Sequence, residues 1–113
     1  MPVIVVNYAK TVGSGGKFIV LVKKENPEDG IMVFSDFSRD FQHHDILMRW
    51  QRAANTAPEA AGLRVDGGGW WKMEGDMLII YGQSAAYGRF DPDWVRARLA
   101  PGMFMTESRI DVR

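Results

Sequence analysis

Hydrophobic positions fall first into short β-branched runs and then, near residue 43, change to a helical spacing. Residues 3–8 (VIVVNY) read as a strand. Residues 17–24 (KFIVLVKK) read as another, and its middle is apolar without alternation, which predicts a central strand covered on both faces. Residues 31–35 (IMVFS) make a third. Glycine-rich residues 12–16 and the sequence NPEDG at 26–30 mark the turns between them.

At 100° per residue His43, Leu47, Trp50, Ala54 and Ala57 share one stripe. That spacing predicts a helix over about residues 40–56, with Ser38 or Asp40 as N-cap and Pro58 as its boundary. Residues 63–66 then read as a strand, Gly67, Gly68 and Gly69 as a break, and Trp70 and Trp71 as the start of another strand. Glu74, Gly75 and Asp76 turn the chain into a buried strand at 77–81. Asp91, Pro92 and Asp93 combine a capping carboxylate, proline at the first helical position and an acidic first turn. The short helix at 94–99 stops at Pro101 and Gly102, and residues 104–112 alternate as a strand with one wet face. The order β-β-β-α-β-β-β-α-β, give or take a strand, predicts a single α/β domain over 1–113. Its fold would be one mixed sheet of about six strands flanked by two main helices.

Composition narrows the function classes. With 113 residues, 46% of them apolar and 25% charged, the chain is an ordinary globular domain. Fourteen basic residues balance fourteen acidic ones, so no global attraction to nucleic acid or an anionic membrane is expected. The absence of cysteine excludes disulfides, a thiolate nucleophile and cysteine-ligated metals. No apolar run approaches the roughly 20 residues that span a bilayer, and the run Val3 to Val6 is too short for a signal peptide. A cytoplasmic protein is the expectation.

Three segments could carry chemistry. His43 and His44 are the only histidines; they point about 100° apart on a helix, so they cannot chelate one metal together, and no metal or other cofactor is expected. His43 lies on the apolar stripe in the first turn, as either a core histidine or a base. A helix N-terminus disfavours imidazolium and offers free N–H groups to an anion. The triple glycine suggests close approach to backbone. After the strand at 77–81 comes Gly82-Gln83-Ser84-Ala85-Ala86-Tyr87-Gly88, small residues whose successive N–H groups could form an anion-binding nest or a tight packing corner. The stretch Gly13 to Lys17 is not a P-loop, since Phe18 stands at the Ser/Thr position and a strand follows. Lys17 can still direct an ammonium at an anion.

Together, His43-His44-Asp45-Ile46, Gly67-Gly68-Gly69 and the string Tyr81-Gly82-Gln83-Ser84-Ala85-Ala86-Tyr87-Gly88 resemble the janus/ocnus family, whose characterised members are protein phosphohistidine phosphatases. Gly16-Lys17-Phe18 looks like that family's lysine-bearing strand, and the resemblance spans about residues 15–112. It implies a metal-independent phosphatase acting on phosphohistidine, or a small phosphoramidate, with His43 as catalytic base. It also implies that the carbonyl of Gly67 orients the imidazole. Lys17, the backbone N–H groups of His43, His44, Ser84 and Ala86, and the Ser84 hydroxyl would then hold the phosphoryl oxygens. The implied partner is a phosphohistidine-containing protein, and the expected state is a monomer. The chain departs from the family pattern at His44, where a small residue is usual, at Ser35, where the animal members carry an arginine, and at Trp70 and Trp71. Arg39 is a candidate to replace that arginine. A module that recognises phosphate or phosphohistidine without turnover is the alternative.

Overall fold

The protein is described by a computed structural model covering residues 3–8, 15–36, 42–102 and 109–113. The candidate caps Ser38 and Asp40, Arg39, residues 12–14 and residues 104–108 lie outside the described residues. Strands β1 (Val3–Asn7), β2 (Gly15–Lys23) and β3 (Gly30–Asp36) precede helix α1 (His43–Ala54). A 3-10 turn at Glu59–Ala61 leads to β4 (Leu63–Glu74), then β5 (Met77–Tyr81), helix α2 (Pro92–Arg98) and β6 (Arg109–Val112). The six strands form one sheet in the order β1-β3-β2-β4-β5-β6. β1 runs parallel to β3 and β6 parallel to β5, while the other neighbours are antiparallel. This is the mixed sheet with two helices that the hydrophobic pattern predicts. Among the described residues no helix is long and apolar enough to cross a membrane.

Each face of the sheet has its own core. Phe18, Val20 and Val22 of β2 pack with Phe34, Trp71, Phe90, Trp94 and Val95 beneath α2. The alternate residues Ile19 and Leu21 pack with Val33, Ile46, Leu47 and Trp50 beneath α1. The unbroken apolar run of β2 therefore means what it predicts, burial on both sides. On α1 the buried stripe is His43, Ile46, Leu47 and Trp50; the C-terminal turn with Ala54 is exposed.

Residues 63–74 differ from the expected strand, break and strand. They form one continuous β4, and Gly68 and Gly69 pair within the ladder. The irregularity is a bulge: Ile19 faces Gly68 and Leu21 faces Val65, so Asp66 and Gly67 share the place opposite Val20. Gly67 has a φ of 109° there, and a Cβ on it would lie 2.6 Å from the carbonyl oxygen of Arg89.

The start of α1 also differs. Gln42 is the N-cap, with its N–H donating to Asp45 Oδ2 at 3.0 Å, half of a capping box. At α2 the cap is as read: Asp91 Oδ1 accepts from the N–H groups of Asp93 and Trp94 at 3.0 and 3.2 Å.

Candidate functional site

The residue parity of β2 places Lys17 on the same sheet face as Ile19 and Leu21, the face that α1 covers. Lys17 stands opposite Ser35 of β3 on one side and Trp70 of β4 on the other. Helix α1 lies over this face through Ile46 and Trp50 and presents its N-terminus, with His43 as the first helical residue, at the Lys17 end.

His43 is 5% exposed, and its Nε2 lies 2.8 Å from the carbonyl oxygen of Gly69. A carbonyl only accepts, so Nε2 carries the hydrogen and Nδ1 keeps the lone pair. The orienting carbonyl is thus that of Gly69, not that of Gly67. Gly67 is taken up by the bulge and by Arg89, and the bulge turns the next residues so that Gly69 offers its oxygen. Gly68 supplies the close approach: a Cβ there would lie 2.9 Å from His43 Cδ2 and 2.6 Å from the Phe18 carbonyl oxygen.

The pKa of His43 is lowered from its ordinary value of 6.5, chiefly by burial, with the Lys17 ammonium adding to the effect and the Gly69 carbonyl opposing it. The sequence suggests a helix field as the cause; in the structure burial of the ring is the leading one. Either way the ring is neutral and available as a proton acceptor at neutral pH.

The segment after β5 is a closed loop. Ser84 and Gly88 exchange backbone hydrogen bonds, Ser84 N–H to Gly88 oxygen at 3.1 Å and Gly88 N–H to Ser84 oxygen at 2.9 Å. The Ser84 hydroxyl, 2% exposed as a residue, accepts from the N–H groups of Ala86 at 3.2 Å and Tyr87 at 3.0 Å. Gly82 and Gly88 turn the chain at φ of 75° and 82°. Gly68 N–H donates to Gly88 oxygen, and Phe90 N–H to Gly68 oxygen, so the loop is stitched to β4 beside His43. Arg89 fastens it from outside, donating to the carbonyls of Gly82 and Arg113, each at 2.7 Å.

Between these parts lies a cavity of about 440 Å³ lined by Lys17, Gln42, His43, Trp70, Gln83, Ala85 and Ala86. Lys17 is the charged side chain among them. The N–H groups of His43 and His44, in the first turn of α1, and of Ala85, in the loop, have no partner among the described residues. Of the residues expected from the sequence, Lys17, His43 and Ala86 line the cavity. Ser84 shapes the loop from within, and its hydroxyl is engaged by Ala86 and Tyr87. The His44 ring turns to the Tyr87 hydroxyl, 3.0 Å from Nδ1, and only its backbone belongs to the helix terminus. Ser35 is buried, with its carbonyl accepting the Trp71 indole N–H at 2.8 Å.

The sequence pattern does not single out Gln42, Gln83, Ala85 and Trp70 as site residues. Gln42 and Ala85 could have been found as chain neighbours of His43 and Ser84, and Gln83 sits inside the small-residue string. Trp70 reaches the cavity only through its pairing with Lys17, which no local pattern reveals. Among the described residues no three His, Asp or Glu side chains gather into a metal-binding group. In comparisons with known proteins, no family model matches this chain, and no curated protein matches it.

Proposed function

We propose that this protein is a phosphatase that hydrolyses the P–N bond of phosphohistidine, in proteins or as a small phosphoramidate, without a metal. The observation that carries the reading is the pinned His43 ring. Its Nε2–H is held by Gly69 at 2.8 Å, and Nδ1 is left basic in a cavity that also holds Lys17. In this reaction His43 Nδ1 takes a proton from water as the water oxygen bonds to phosphorus. The P–N bond breaks, its electron pair stays on the imidazole nitrogen of the substrate, that nitrogen takes up the proton from His43 or from solvent, and phosphate leaves. The Lys17 ammonium and the N–H groups of His43, His44 and Ala85 would balance the charge on the non-bridging oxygens. The resemblance of the three sequence segments to the janus/ocnus family supports the same reading. A chain without cysteine suits a reducing cytoplasm, where we place it.

The test is phosphate release from a phosphohistidine peptide, with chelator present, by the wild type, His43→Ala and His44→Ala. Release by the wild type and His44→Ala, with loss in His43→Ala, supports the enzyme and its base. Release by His43→Ala near the wild-type rate overturns it. One observation favours a second reading, recognition without turnover: Ser84 and Ala86 use their N–H groups inside the loop, which leaves the cavity fewer donors. That reading predicts phosphate binding that survives His43→Ala and no release by any variant.

A further inference from the structure

Trp70 meets Lys17, His43 and the start of the loop after β5. The Lys17 ammonium lies over its indole, 5.0 Å from the ring centroid. The imidazole of His43 meets it edge-on, with centroids 6.2 Å apart and planes at 78°. Its Nε1–H donates to the Gln83 carbonyl in the anion loop at 3.2 Å. A Cβ on Gly82 would lie 2.6 Å from its Cδ1, so the loop passes close against the ring where a larger residue would collide. The indole is thus fixed at its edge by the loop, while its face carries the lysine.

A lysine side chain has four rotatable bonds and loses up to about 2 kcal/mol of rotamer entropy when held in one place. In this cavity the charge is useful only where the phosphoryl group sits. An aromatic face attracts an ammonium through its quadrupole, and the attraction grows as water is excluded.

We infer that Trp70 is a positioning residue that seats the Lys17 ammonium for a bound phosphoryl group and ties that seat to the loop 82–88. The inference rests on reading the cavity as a phosphate site. It assigns Trp70 an effect exerted through Lys17 and not through the fold: phosphate affinity depends on the ring only while the lysine is present.

The experiment is a double-mutant cycle on the affinity for inorganic phosphate, measured by calorimetry on the intact chain. The proteins are the wild type, Trp70→Leu, Trp70→Phe, Lys17→Met and the two combinations with Lys17→Met. Trp70→Met repeats the Leu arm with an unbranched side chain if Leu disturbs folding by circular dichroism. Trp70→Leu should weaken phosphate binding about three- to tenfold, the value of one partly exposed cation–π contact. Trp70→Phe keeps an aromatic face and should retain most of the affinity. In the Lys17→Met background the Leu substitution should change affinity by less than about twofold. An equal loss in both backgrounds overturns the inference, because the ring would then act independently of the lysine. A loss in Trp70→Phe as large as in Trp70→Leu overturns it too, since the indole N–H would then be the important group. Failure of the wild type to bind phosphate removes the site and the inference together. A coupled cycle in a protein that releases no phosphate from the peptide sinks the phosphatase reading and leaves the lysine seat standing.

Discussion

The Nε2 of His43 and the carbonyl oxygen of Gly69 meet at 2.8 Å, across twenty-six residues of chain. This pair sets which ring nitrogen is basic, because the backbone oxygen can serve only as acceptor. At neutral pH, nitrogen-15 NMR should find His43 as the Nε2–H tautomer. The Nδ1–H tautomer would reverse the assignment of the base. His43→Ala should lower phosphate release by about 10²–10⁴-fold, the usual contribution of a general base.

The lowered pKa of His43 makes stability, and the activity proposed above, depend on pH in a defined direction. Below the ordinary value of 6.5 the unfolded chain takes up a proton that the folded protein still refuses. Stability linked to His43 is therefore complete above pH 6.5, falls as the pH drops below it, and levels off under the folded pKa. Urea midpoints of the wild type minus those of His43→Gln, followed with pH, should show this slope. A difference curve that rises toward acid would contradict it. The acid limb of kcat/KM should likewise lie below pH 6.5.

Gly68→Ala should be more damaging than Gly75→Ala. At Gly68 a methyl group would press on the Phe18 carbonyl at 2.6 Å and on His43 Cδ2 at 2.9 Å. Relief requires β4 to move or the imidazole to leave Gly69, and overpacking of this kind costs about 1–3 kcal/mol. Gly75, in an open turn at φ 62°, has nothing within 4 Å of its missing Cβ, so Ala there meets only backbone strain of about 1 kcal/mol. Denaturant melts and the histidine NMR signal check the pair; equal effects at the two glycines would be inconsistent with this packing.

Ser84→Ala should loosen the loop without opening the core. The hydroxyl is the acceptor for two backbone N–H groups, as at a helix N-cap, and its loss should destabilise by about 0.5–2 kcal/mol. Amide exchange at Ala86 and Tyr87 should quicken while that of β2 is unchanged. Unaltered protection at both amides would mean that the Ser84–Gly88 backbone pair alone holds the loop.

Much of the fold was legible because its elements announce themselves locally. The unbroken apolar run of β2 predicted burial on two faces, and Asp91-Pro92-Asp93 predicted the cap of α2. Residues 63–74 form one strand where the sequence suggests two, because three glycines have no side chains to show the alternation; the neighbours Phe18 and Ile19 hold Gly69 and Gly68 in the ladder. The start of α1 is hidden in the sequence because Gln42 is not a typical cap, although Asp45 at the third helical position is a usable signal. In the candidate site His43 and Lys17 were visible as chemistry. Gly69 and Trp70 were not, because their places depend on the bulge and on pairing with a distant strand.

The bulge at Asp66 and Gly67 has a consequence for the two adjacent tryptophans. Before it, the odd-numbered Leu63 and Val65 face α1; after it, the even-numbered Gly68 and Trp70 do. The extra residue shifts the phase of β4 by one. Trp71 consequently fills the core beneath α2, fully buried, while Trp70 stands in the cavity wall. Regular pairing of the same sequence, without the bulge, would exchange their sides and put Trp71 on the face of α1. The glycine run is thus a phase shifter between a half-strand matched to the core and a half-strand matched to the cavity.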